Sequence, residues 1–198
     1  MALQTRIFVD FWNFQLSIND HTNDQYRVDW TLVSPWLMNE AEGLIGQSLS
    51  FEGTTIYISY NEHTQAGRNL KNFASNTLNS FPGISVNIVK RRPRNPPICS
   101  SCHQQIINCP HCNEVIKRTI EKGVDTAIVT DMFRLAWESS LDVAILVSSD
   151  RDFIPLVNTL ASKGYKVINA HFPPQGMNLA KECWASIDIK TGINSIER

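Results

Sequence analysis

The hexapeptide Ser148-Ser149-Asp150-Arg151-Asp152-Phe153 carries two carboxylates separated by one residue. A D-x-D pair supplies hard oxygen ligands suited to a divalent cation. Asp10, with Asn13 three residues on, closes the apolar run Ile7-Phe8-Val9, and Asp125 follows Gly123-Val124. Carboxylates gathered at one place repel each other unless a cation neutralises them. Mg²⁺ or Mn²⁺ held by such a set can activate water and neutralise the charge that develops in phosphodiester hydrolysis. Each residue also has a plainer use: Ser149-x-x-Asp152 fits a helix capping box, Asp125 a helix-start charge, Asp10 a solvated strand end and Asn13 a turn former. Asp131 is weaker, since it lies about 120° around a helix from Asp125 and has Arg134 as a surface partner one turn on.

The elements that must position these residues alternate. Arg6–Phe11 reads as a strand apolar on both faces, as in a central parallel sheet. A polar loop, residues 21–27, precedes a helix that Asp29 could cap and that ends near Gly43 or Gly46; Pro35 in its early turns predicts a kink or a later start. Further strands are expected over 54–60, 84–89, 142–147 and 166–170, with an edge strand near 187–189. Helices are expected over 65–81, from Ile116 with a break at Gly123, from Val124 through Ala136, from Ile154 to Lys163 and over 177–184. This alternation argues an α/β fold whose mostly parallel sheet is covered on both faces. Asp10, Asp150, Asp152 and Asp125 then fall at one sheet edge, where open α/β sheets bind ligands.

Composition shifts abruptly at Lys90-Arg91-Arg92-Pro93-Arg94, which leads into Cys99-x-x-Cys102 and Cys109-x-x-Cys112. Two C-x-x-C turns present four thiolates, the donor set of a closed, structural Zn²⁺ site; His103 and His111 are alternative ligands. Residues 93–115 thus read as a Cys₄ zinc-knuckle insertion, too short and polar to fold without a staple. Lys90, Arg91, Arg92, Arg94, Lys117 and Arg118 around it form a basic cluster suited to a nucleic-acid backbone, with a solvated linker or a protein-docking surface as the competing reading. Arg68 and Lys71 could extend it. Trp12, Tyr60 and Phe153 lie near strand ends, where aromatics either stack bases or fill core.

With 198 residues, the chain has room for one domain carrying an insertion and little more. A net charge of −1 excludes a global basic field, and no apolar run approaches a membrane span or a signal-peptide core. Four of five cysteines crowd between 99 and 112, which in a reducing cytoplasm favours metal over disulfides; Cys183 reads as a small buried hydrophobe.

Three ordered stretches, the first strand with Asp10 and Asn13, Glu121 to Met132, and Ser148 to Leu156, resemble the signatures of NYN domains. These are the LabA-like branch of the PIN-like nuclease superfamily, and the resemblance covers nearly the whole chain apart from the insertion. It implies a PIN-like three-layer α/β/α sandwich and a metal-dependent nuclease acting on RNA, with DNA as the alternative substrate. A catalytically silent nucleic-acid-binding or regulatory module, and a protein partner or second copy, stand beside that reading. It also implies that Asp10, Asp125, Asp150 and Asp152 line the Mg²⁺ or Mn²⁺ site with Asn13 beside them. Asp10 and Asp150 are then the expected direct ligands. Lys122 is a candidate phosphate contact, against a solvated lysine, and Ser148 and Ser149 are candidates to hydrogen-bond phosphate or the ligating carboxylates, against capping hydroxyls. One departure is Ser149, where the family commonly has glycine.

Overall fold

The computed structural model describes residues 2–198. β1 (Leu3–Asp10) is followed at once by α1 (Phe11–His21), then α2 (Trp30–Ile45), β2 (Leu49–Tyr60), α3 (Gln65–Asn76) and β3 (Ile84–Lys90). An antiparallel ribbon, β4 (Arg92–Arg94) against β5 (Arg118–Ile120), carries the insertion. The chain continues through α4 (Val124–Trp137), β6 (Val143–Val147), α5 (Ile154–Ser162), β7 (Lys166–His171), α6 (Met177–Glu182) and β8 (Ala185–Asp188).

The six main strands form one sheet in the order β3-β2-β1-β6-β7-β8, every neighbouring pair parallel. Side chains alternate across it. Ile7 and Val9 of β1 join Ile56, Ile145 and Ile168 beneath α1 and α2, whereas Phe8 joins Tyr57, Leu146 and Val167 beneath α4 and α5. Burial on both faces is why these strands read as continuous apolar runs. The result is a three-layer α/β/α sandwich. Its winding runs one way from β1 to β3 and the other way from β6 to β8, so β1 and β6 flank a topological switch point, the position at which open parallel sheets bind ligands beyond the carboxyl ends of the strands.

The structure corrects several local expectations. Residues 11–21 are helical: Asp10 caps α1 through Asn13 N, and Phe11, Phe14 and Ile18 bury one face. Residues 118–120 are a strand, because pairing with β4, which is distant in sequence, overrides a weak local pattern. β2 begins at Leu49, and the helix expected to reach Phe81 stops at Asn76 before a 3₁₀ turn, Leu78–Ser80. α2 runs through Pro35 as one helix, capped by Asp29, whose side chain accepts from Thr31 N at 2.9 Å, and closed by the left-handed Gly46. Phe153 is 1% exposed and belongs to the core.

Candidate active site

Asp10 ends β1 at the switch point with only 7% of its surface exposed. Its Oδ1 accepts from Asn13 N at 3.3 Å and its Oδ2 from Ser148 Oγ at 3.3 Å. Both bonds favour the carboxylate, yet burial outweighs them, and the charges of Asp125 and Glu121 push the same way. The Asp10 carboxyl is raised from 3.8 to about 7.

On the neighbouring strand, Val147 leads into a turn built from its own side chains. Ser148 Oγ accepts from Asp150 N at 3.1 Å, and Asp150 Oδ1 accepts from Asp152 N at 2.9 Å, capping the 3₁₀ turn Arg151–Phe153. The cap is therefore Asp150, not Ser149 as the capping-box spacing predicts. Ser149 N donates instead to Asn13 Oδ1 at 2.8 Å, tying this turn to α1. The Ser149 backbone lies outside the left-handed region, so a serine sits there without strain. From β7, the wholly buried Asn169 donates through Nδ2 to the carbonyls of Leu146 at 3.0 Å and Ser148 at 2.8 Å, clamping the turn from below.

The fourth aspartate comes from the opposite layer. Gly123, at φ 103°, precedes α4, and Asp125 falls in its first turn. Partial burial raises its carboxyl above the ordinary range, and the charges of Asp150, Glu121 and Asp152 add to that effect. The four expected aspartates are thus electrostatic neighbours, and the structure adds Glu121, which in sequence is only the first residue of the second NYN-like stretch. Ser59 donates to Glu121 Oε2, and Arg91 Nη2 lies 3.4 Å from the same oxygen. Spacing alone hides Glu121, because only the ribbon that returns the chain beside β3 brings it to this edge.

Among the described residues no three Asp, Glu, His or Cys side chains enclose an ion as they stand. The donor set at the switch point still fits a divalent cation: two of its carboxyls are held above their ordinary range partly by neighbouring negative charge, a cost that a cation relieves. In the insertion, the backbone pattern recurs ten residues on. Cys99 N bonds Gln104 O and His103 N bonds Cys99 O, as Cys109 N bonds Glu114 O and Asn113 N bonds Cys109 O. His103 and Asn113 both take the left-handed conformation, at φ 57° and 58°. Backbone N–H groups of Cys102 and Ser101 lower the Cys99 thiol, and those of Cys112 and His111 lower Cys109. Each C-x-x-C turn is thus shaped to present a thiolate.

The remaining candidates fall in four places. Lys122 is exposed beside Glu121, and Lys90 is drawn to Glu62. Arg92 and Arg94 lie on the exposed ribbon, where Arg94 stands directly opposite Arg118. Asp131 lies off the cluster: Tyr57 Oη donates to it at 2.8 Å and Arg134 approaches to 3.5 Å.

Among the described residues no helix is long and apolar enough to cross a membrane. No curated protein matches the chain. A crystal structure of a protein of unknown function from Vibrio parahaemolyticus shares the fold, with 14% identity and a TM-score of 0.56 over 100% of this chain and 97% of that one. The family model for the NYN domain matches residues 4–190, spanning every acidic residue of the cluster. By that match the chain belongs to the NYN domain family, part of the PIN-like nuclease superfamily.

Proposed function

We propose that this protein is a metal-dependent ribonuclease of the LabA-like branch, hydrolysing RNA phosphodiester bonds at the β1–β6 switch point. One observation carries the reading: Asp10, Asp125, Asp150, Asp152 and Glu121, from three separate stretches of the chain, share one electrostatic neighbourhood at the sheet's carboxyl edge. Asp10 and Asp150 would hold Mg²⁺ or Mn²⁺ directly, and Asp125 and Asp152 would hold the cation or position water. A bound divalent cation supplies an acidified water and neutralises charge on the phosphate. Asn13 keeps the Ser149 turn against Asp10, and no protein nucleophile is required. Lys122 and Ser149 are the phosphate contacts, joined by Arg91, Arg92, Arg94 and Lys90 along the substrate's path, whereas the buried Ser148 spends its hydroxyl on the ligating carboxylate of Asp10 and the Asp150 amide. The paired Cys99–Cys102 and Cys109–Cys112 turns hold one structural Zn²⁺ in a reducing, cytoplasmic setting.

Matched RNA and DNA oligonucleotides incubated with the pure protein and a series of divalent metals test this. RNA cleavage with Mg²⁺ or Mn²⁺, lost in Asp150→Asn, supports it; preferential DNA cleavage transfers the activity to DNA. RNA binding without cleavage under any metal overturns it and leaves a silent binding module.

A further inference from the structure

The first turn of α1 has two sides. Asn13 faces the acidic turn through Ser149, whereas Trp12 borders a groove of about 460 Å³ lined by Trp12, Tyr60, Asn61, Leu70, Phe73 and Arg91. Its Trp12 wall is fixed. Trp12 Nε1 donates to Ser59 O at 2.7 Å, which sets the indole plane. The Arg91 guanidinium lies 5.1 Å from the Trp12 ring centroid, and Ser59 Oγ at 3.0 Å and Glu121 at 3.4 Å hold it there. Lys71 Nζ lies 5.6 Å from the Tyr60 ring centroid. Gly67 lets α3 close on the Asn61 loop, since a Cβ there would meet Asn61 O at 1.9 Å.

We infer that this groove takes one unpaired nucleobase of the nucleic acid whose phosphate lies at the acidic edge, an inference that rests on the proposed function. Three features select that occupant. The fixed Trp12 indole and the Tyr60 and Phe73 rings beside it offer aromatic surface to any base, which presents a π-face whatever its sequence, once the cations over Trp12 and Tyr60 turn to phosphate. Arg91 and Lys71, each already lying over a ring, are cations suited to the phosphates on either side of that base. Asn61 and Gln15, also at the groove, supply amide groups that can pair with a base edge. The groove also continues the candidate site, because Trp12 lies two residues from Asp10 and Arg91 contacts Glu121. A base inside a duplex is stacked and cannot enter without being extruded, so the groove selects single-stranded or looped substrate.

The test is an abasic scan. A short single-stranded RNA is made with one nucleotide at a time lacking its base, and binding to the full chain is read by fluorescence anisotropy in Ca²⁺. Wild-type protein is expected to lose roughly tenfold or more in affinity at one position, the size of a single base–aromatic stack. Trp12→Leu should bind the intact RNA correspondingly more weakly and show no positional loss, with its melting temperature confirming that it folds. A flat wild-type scan overturns the inference whether or not the variant folds. Dimerisation abolished by Trp12→Leu alongside a flat scan also overturns it and gives the groove to a second copy. Cleavage of the same RNAs is read in Mg²⁺: a flat scan with retained cleavage refutes the groove alone, and a positional loss without cleavage refutes the nuclease reading alone.

Discussion

The Ser148 hydroxyl joins the two strands at the switch point, donating to Asp10 Oδ2 at 3.3 Å while accepting from Asp150 N at 3.1 Å. One small side chain thereby ties the Asp10 carboxylate to the backbone of Asp150, 140 residues on in the sequence. Removing it as Ser148→Ala leaves the Asp150 amide without its acceptor and Asp10 without a donor. Loss of such buried bonds costs about 1–3 kcal/mol. Chemical denaturation of the variant should show that decrease, and unchanged stability would refute the bridge.

Asp10 sets a pH dependence in metal-free protein. Its folded value of about 7 exceeds the ordinary 3.8, so its contribution to stability is fully present below 3.8 and is lost as pH rises through 7. In EDTA, Asp10→Asn should therefore stabilise the chain by about 2–4 kcal/mol at alkaline pH and by little at acid pH. Mg²⁺ should raise the melting temperature of wild type more than that of the variant. A variant less stable than wild type at alkaline pH would count against a buried, repelled Asp10 carboxylate.

Asn169 touches no candidate ligand, yet it holds the turn that carries Asp150. Asn169→Leu leaves the Ser148 carbonyl without its buried donor, which should lower stability by about 1–3 kcal/mol. Displacement of Asp150 should also weaken Mg²⁺ binding, read as a smaller Mg²⁺-induced rise in melting temperature. If the stability loss occurs with that rise unchanged, Asn169 is a core residue and not a positioning one.

Arg94 and Arg118, directly opposed on the ribbon, repel each other without an anion between them. Arg118→Gln should stabilise the free ribbon slightly and weaken RNA binding. The slope of log affinity against log salt should fall by about 0.7 for each phosphate that the variant no longer neutralises. An unchanged slope would remove the ribbon from the substrate path.

Zinc should be present at about one ion per chain and disappear in Cys99→Ser with Cys112→Ser. Without zinc, a maleimide reagent should label Cys99 and Cys109 first, since their thiols are lowered, and leave Cys183, pushed up to about 12 by burial, unlabelled. Full zinc occupancy in the double variant would refute the assignment.

Patterns local to the chain determined much of this protein. The runs Ile7–Val9 and Val143–Val147 specify buried parallel strands because their side chains meet helices on both faces. The three acidic stretches carry the family in their own residues, and the C-x-x-C turns carry their donor chemistry. Residues 11–21 were also legible in principle, since Asp10 can cap and Phe11, Phe14 and Ile18 share a helical face. Pairings between residues distant in sequence were not legible. Strand order decides that β1 and β6 are neighbours, and so that Asp10 meets Ser148 across 138 residues. The β4–β5 pairing decides that Glu121 returns beside Arg91, and β7 decides that Asn169 clamps the turn. Ser149-x-x-Asp152 shows the difference at one turn: spacing names a serine cap, but Asn13 takes the Ser149 amide and Asp150 becomes the cap. A backbone group bonds to the partner that tertiary packing brings within reach, and spacing along the chain does not determine which partner that is.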